Sequence, residues 1–252
     1  MRRPQRGSRI GDWLLEERLG KGGNAEVWRA GRPDGTGAAI KILQQRRSDS
    51  EPYKRFRDEV GILRSLGARP GLLPLIDASL PARPSQGNPA WLAMPVATPI
   101  KEALGDGPRL EQVVEAIAAV ADALASLAAE GIAHRDVKPS NLYRYSGAYA
   151  VGDFGLVDFP DKQALTVPGR RLGPLFFLAP EMLSSPESAD GRPSDVYSLA
   201  KTLWVSRNRP ELATAGRTAT RHSAGPRERL RRSPEGLSLG SSDRTCNQAQ
   251  PR

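Results

Sequence analysis

His134-Arg135-Asp136-Val137-Lys138-Pro139-Ser140-Asn141 packs an imidazole, a carboxylate, two cations and an amide into eight residues, and the flanking sequence is organised around it. Twelve residues after Asn141, past a hairpin pattern turning at Ser146-Gly147, stands Asp153-Phe154-Gly155. Farther on comes Ala179-Pro180-Glu181. Upstream, Leu110, Val113, Val114, Ile117, Val120, Leu124 and Leu127 recur at helical spacing, which predicts a long amphipathic helix ending at Gly131. The polar octet therefore reads as a loop held between a buried helix and a hairpin.

The N-terminal part predicts strands. Trp13 to Leu19 is an apolar-rich segment running into Gly20-Lys21-Gly22-Gly23-Asn24-Ala25-Glu26-Val27 and then Trp28 and Ala30, a strand–turn–strand pattern. Glycines let backbone N–H groups approach phosphate oxygens without a Cβ clash, so the turn can cover a nucleotide; an ordinary hairpin has the same pattern. No helix follows these glycines, so they are not a dinucleotide fingerprint. Ala38 to Leu43 reads as a buried strand with one amine in it, Lys41. Tyr53, Phe56, Val60 and Leu63 mark one helical face, and Glu59 falls on that face. Pairing Lys41 with Glu59 would satisfy two charges at otherwise apolar positions; the alternative is that the lysine snorkels and the glutamate sits at the wet edge of the stripe.

Charge and composition divide the chain. Of 37 Lys and Arg and 28 Asp and Glu, residues 205–252 hold ten Arg against four acids, so the net charge of +9 lies mostly there. All 14 aromatic residues lie at or before Trp204, which leaves that stretch without the means to build a core. The expected organisation is a basic arm at residues 1–10, a folded body at 11–205 and an Arg-rich, disordered tail at 206–252. The longest apolar candidate, Ala116 to Ala129, is interrupted by Asp122 and falls short of the roughly 18 residues a membrane helix needs, which argues against a spanning chain. Arg2, Arg3, Arg6 and Arg9 are followed by no apolar signal core, and the single cysteine, Cys246, can form no internal disulfide; both point to the cytoplasm.

Taken together, the octet, Asp153-Phe154-Gly155, Ala179-Pro180-Glu181 and the Lys41–Glu59 pair resemble the protein kinase signature set, and Lys138 two residues after Asp136 resembles its serine/threonine branch. The compact Gly-Gly-Asn turn resembles the bacterial eukaryotic-like serine/threonine kinases. The resemblance covers residues 11–204 and implies an α+β, two-lobed fold, with a small antiparallel β lobe and a mainly helical lobe. It implies ATP and Mg2+ as cofactors and a protein as substrate. By this resemblance the loop Leu19, Gly20, Lys21, Gly22, Gly23, Asn24, Ala25, Glu26 and Val27 covers the ATP phosphates, and Lys41, held by Glu59, contacts the α and β phosphates. Asp136 accepts the substrate hydroxyl proton, Lys138 steadies the γ-phosphate, and Asn141 and Asp153 hold magnesium. His134 braces the loop, Met94 guards the back of the adenine pocket, and Pro95 to Ala97 form the hinge.

Four departures from the family pattern carry expectations of their own. Ala25 replaces the third glycine of the loop, at a cost of about 1–2 kcal/mol if positive φ is required there. Pro174 and Leu175 stand where a threonine usually meets Asp136 and Lys138. Thr166 is the one hydroxyl between Leu156 and Leu178, opposite Arg135 as a phosphate clamp. Finally, Ser194 to Trp204 resembles the start of the central helix of the large lobe, with Asp195 anchoring the catalytic loop, and then gives way to the tail. The reading is a C-terminally truncated or frame-altered kinase in which Leu199, Leu203 and Trp204 are left uncovered. Two other functions compete: an inactive remnant that binds nucleotide or protein partners, and a nucleic-acid binder acting through the tail arginines, which a solvated tail explains as well.

Overall fold

The computed structural model describes residues 4–157, 176–185 and 188–208. Thr166, Pro174, Leu175 and the tail from residue 209 onward lie outside the described residues, and with them the expectations attached to those positions. The described residues all fall within one compact unit, residues 1–218.

Six antiparallel strands build the small lobe: β1 (Arg9–Ile10), β2 (Trp13–Lys21), β3 (Ala25–Gly31), β4 (Gly37–Leu43), β5 (Asp77–Ser79) and β6 (Trp91–Met94), in the order β1-β2-β3-β4-β6-β5. In β3 the side chains alternate, with Glu26, Trp28 and Ala30 buried on one face and Val27 and Arg29 on the other. Trp13, Leu15, Trp28, Ile40, Ile42 and Trp91 close over the first face as a core of their own. Ile10 joins that core, so the sheet begins at the end of the segment read as a basic arm. Gly20 and Lys21 remain in β2, which shortens the glycine turn to residues 22–24, closed by Gly22 N–H to Ala25 C=O at 2.8 Å. Ala25 opens β3 and is absent from the residues with positive φ, so the strain expected of an alanine there does not arise.

Helix α1 (Glu51–Leu66) starts where the Ser50 hydroxyl accepts the Tyr53 N–H and stops at Gly67, whose φ of 62° favours glycine. It buries Tyr53, Phe56, Val60 and Leu63, and Glu59 goes in with them.

The second lobe contains β7 (Thr98–Pro99), α2 (Ile100–Leu104), α3 (Leu110–Ala129), β8 (Leu142–Tyr145), β9 (Ala148–Val151), α4 (Pro180–Ser184) and α5 (Gly191–Asn208), with β7-β8-β9 as a small sheet. Ser146 and Gly147, at φ 50° and 83°, make the tight turn between β8 and β9. Helix α3 is the core helix of this lobe: Val113, Ala116, Ile117, Val120, Leu124 and Leu127 are buried, and it packs against α5 and β9. By length and hydropathy alone α3 would suffice to cross a membrane, so the apolar-run argument made from the sequence does not hold; Asp122 lies on the exposed side and does not interrupt the buried one. Helix α5 continues to Asn208 with Val205 and Ser206 buried, three residues past the expected end of the body. Leu199 belongs to the main core instead of lying uncovered, while Val196, Trp204 and the adjacent Phe176 are exposed.

Candidate active site

Three charges converge between the lobes. The Lys41 ammonium lies 2.7 and 2.8 Å from the two Glu59 carboxylate oxygens and 2.8 Å from Asp153 Oδ1. Each comes from a different element, and the hydrophobic pattern aims them together. The period of two puts Lys41 and Val27 on the same face of the sheet, and the α1 stripe points Glu59 at that face. Burial works against the Lys41 charge, but the two carboxylates outweigh it and hold its pKa above the ordinary lysine value. Burial pushes Glu59 up to about 7 against the pull of Lys41. Asp153 is also disfavoured by burial, yet Lys41 prevails and holds it down at about 2. Asp153 has φ 65°, a left-handed conformation that is uncommon outside glycine, and the structure keeps it there.

Below the triad, α5 fixes the polar octet. The buried Asp195 carboxylate accepts the backbone N–H groups of His134 and Arg135, each at 2.7 Å, and Arg135 is turned to φ 61°. His134 is fully buried, with Nε2 3.2 Å from the Gly152 carbonyl and its ring edge-on to Phe154; burial lowers its pKa and keeps the ring neutral. Its ring links the Gly152 carbonyl to the Asp136 backbone N–H, which donates to Nδ1 at 3.3 Å. Asp136 is held from two sides. Lys138 Nζ donates to both of its oxygens at 2.8 and 2.7 Å, and Asn141 Nδ2 donates to its backbone carbonyl and to Oδ2 at 2.8 and 2.9 Å. Burial raises the Asp136 pKa, and Lys138 opposes the rise.

Lys41, Lys138, Asn141 and Asp153 face a cleft of about 510 Å³. Leu19, Gly20, Lys21, Gly22, Ala25 and Val27 line it from the glycine turn, Lys41 from β4, and Lys138, Asn141 and Asp153 from the opposite side. Met94 and Pro95 to Ala97 form the end where the lobes join. Asp136 and Glu59 stand behind this lining and reach it through Lys138, Asn141 and Lys41. Gly23, Asn24 and Glu26 are not part of the lining. The Glu26 carboxylate sits on the other face of the sheet, 3.3 Å from Trp28 Nε1 and 3.0 Å from Gln44 Nε2. Alternation about the cleft-facing Val27 is the sequence signal that would have excluded Glu26. Tyr143 and Leu73 also line the cleft; neither lies in a recognisable motif, and only the return of β8 beside the linker brings Tyr143 there.

Residues 13–231 match the family described as the protein kinase domain. The chain is 32% identical over 200 residues to the probable serine/threonine-protein kinase PkwA of Thermomonospora curvata, an alignment covering 77% of this chain and 26% of that protein. It is equally similar to the serine/threonine-protein kinase AfsK of Streptomyces griseus, covering 77% of this chain and 24% of AfsK. The serine/threonine-protein kinase PknA of Mycobacterium tuberculosis is 30% identical over 209 residues, with 79% of this chain and 48% of PknA covered. The chain thus spans between about a quarter and a half of the length of these relatives. With the ion triad, the braced octet and the glycine turn around one cleft, and a family match over most of its length, this chain belongs to the protein kinase domain family.

Proposed function

We propose that this chain is a serine/threonine protein kinase that moves the γ-phosphoryl group of ATP to a protein hydroxyl. The observation that carries the reading is Lys41, held simultaneously by Glu59 from α1 and Asp153 from the second lobe, at the wall of a cleft roofed by the glycine turn. Phosphoryl transfer asks a protein for positioning and charge neutralisation more than for covalent chemistry, and this arrangement supplies both. Backbone N–H groups of the turn and the Lys41 ammonium receive the phosphates. Lys138 is placed to neutralise charge on the group being transferred. Asp136 accepts the proton of the substrate hydroxyl as its oxygen bonds to phosphorus and ADP leaves; its raised pKa makes it a better proton acceptor than an ordinary aspartate.

Asn141 and Asp153 fit magnesium. Asn141 commits its amide nitrogen to Asp136, its amide oxygen accepts one long contact from the Ser140 hydroxyl at 3.4 Å and keeps a second lone pair for a ligand, and Asp153 brings a carboxylate to the same wall. One or two protein oxygens with phosphates and water completing an octahedron suit Mg2+, which would neutralise phosphate charge there. A protein substrate is the class this reading requires. A cytoplasmic location follows from the need for cellular ATP and from the one cysteine.

The test is transfer of labelled phosphate from ATP with Mg2+ to the chain itself and to a generic basic protein, using the full 252 residues. Label on serine or threonine, absent with Lys41→Met, is the expected outcome. No transfer by the parent under conditions in which it binds ATP would leave a nucleotide-binding protein in place of an enzyme.

A further inference from the structure

Glu26 stands on the face of the small-lobe sheet turned away from the cleft, and there it lines a second, smaller cavity of about 150 Å³. Sheet register builds it. Glu26 pairs with Ile42 across β3 and β4, and the residues just after β4, with the segment leading into β6, close the sides. Ile42, Leu43, Pro4 and Pro89 supply apolar wall, while Glu26 and Arg46 bring two charges of opposite sign. The volume is that of about five water molecules in the liquid, well below the roughly 300–1,000 Å³ of sites for drug-sized ligands, so an occupant is small.

Glu26 is 6% exposed, and a carboxylate buried to that extent needs strong partners. Those it has are modest. Trp28 Nε1 donates at 3.3 Å and Gln44 Nε2 at 3.0 Å, both neutral, and the cation paired with it, Lys21, stands 3.9 Å away with half of its side chain exposed. A carboxylate has about four lone-pair sites, so capacity for a charged donor remains. Arg46, exposed at the cavity's edge, has no hydrogen-bond or ion-pair partner among the described residues. A purely cationic ligand would be repelled by Arg46 and a purely anionic one by Glu26. A ligand that brings an ammonium to Glu26 and a carboxylate to Arg46 satisfies both.

We infer that this cavity is a binding site for a small zwitterion, an aliphatic α-amino acid, and that its occupancy steadies the glycine turn. The coupling runs through Gln44. Its backbone N–H donates to the Asn24 carbonyl in the turn at 2.8 Å, and its side chain donates to Glu26. A ligand that holds Glu26 therefore holds Gln44 and, through it, the turn that roofs the cleft. The coupling rests on the proposed ATP-dependent function; the site itself does not.

The probe is L-leucine, titrated calorimetrically into the full chain at pH 7, first without nucleotide. Binding in the millimolar range or tighter is expected. Leucinamide, which lacks the carboxylate, and N-acetyl-leucine, which lacks the ammonium, should each bind at least tenfold more weakly. Glu26→Gln and Arg46→Gln should each cost leucine at least tenfold. Leucinamide should bind Arg46→Gln no worse than it binds the parent, since the partner of Arg46 is already missing from that ligand. With leucine saturating, ATP affinity should rise about fivefold, and ATP should raise leucine affinity by the same factor. Absence of leucine binding, derivatives that bind as well as leucine, or variants that bind it like the parent would overturn the site. ATP affinity indifferent to saturating leucine would overturn the coupling. Should Glu26→Gln not fold, the exposed Arg46→Gln and the two derivatives decide. A parent that binds ATP but no leucine defeats only this inference, whereas one that binds leucine but no ATP keeps the site and defeats the proposed function together with the coupling.

Discussion

Lys41 carries more electrostatic responsibility than any other residue described, because two carboxylates depend on it. Removing one partner from a buried pair ordinarily costs about 3–5 kcal/mol, since the other charge is stranded. Here Glu59 has an exit: burial has already raised its pKa to about 7, and without Lys41 it rises further and the group takes up a proton. Lys41→Met should therefore abolish phosphoryl transfer yet fold, with a pH dependence of definite sign. A carboxyl whose folded pKa exceeds its unfolded value of about 4.3 makes the fold less stable as pH rises between the two values. In the parent that loss is mostly over by pH 7 to 8, whereas in the variant it continues to higher pH. Urea midpoints at pH 6 and pH 8.5 should separate more in Lys41→Met than in the parent; equal separations would mean that Glu59 ionises without regard to Lys41. The two aspartates divide in the same way. Asp136→Asn should keep nucleotide affinity and slow transfer at least a hundredfold, as loss of a general base does. Asp153→Asn should weaken nucleotide binding only when magnesium is present, which titration with and without a chelator separates.

Strands and helices decide which of these side chains meet. Glu26 is the instructive case: it lies within the glycine-turn motif yet points away from the cleft, because side chains alternate across a strand and its neighbour Val27 faces in. On its own side it accepts from Trp28 Nε1 and Gln44 Nε2, which ties the first residues of β3 to the end of β4. Glu26→Ala should leave two donors unpaired, cost about 1–3 kcal/mol and loosen the turn. Its kinetic signature should be a raised KM for ATP with kcat little changed, and a fall in kcat alone would contradict a role in the turn. The α1 helix was legible down to its stripe because Phe56, Val60 and Leu63 repeat with its period, and Glu59 could be placed on that stripe before any contact was visible. The glycine turn was less legible. Glycine suggests positive φ, but Gly20, Gly22 and Ala25 do not adopt it; two of the three are strand residues, whose conformation is fixed by pairing with β3 or β2.

At the scale of the whole molecule, the described residues bring two lobes to bear on one ligand, so ligand and fold should support each other. At a Mg-ATP concentration a hundred times its Kd, mass action adds about 2.7 kcal/mol to stability. For a chain of this length that is a rise in Tm of roughly 5–10 °C, visible by scanning calorimetry of the full chain. The Asp153→Asn variant should show the smaller shift seen with ATP and chelator alone, and a full shift in that variant would remove Asp153 from the metal's environment. The sequence by itself determined the family and the order of the motifs, and it named Glu59 as a candidate partner for Lys41 that the fold then brought into contact. Chemistry that needs fixed residue types at short spacing leaves a local record, and a charge on an apolar stripe advertises its need for a partner. The tertiary structure alone decided that Asp153 completes the triad, that α5 runs on to Asn208 with Leu199 in the core, and that Tyr143 rests on Gly152 at the cleft wall. Those are contacts between segments far apart in sequence or on adjacent strands whose register fixes the match. They depend on how elements pack, and neither composition nor periodicity along a single segment records that.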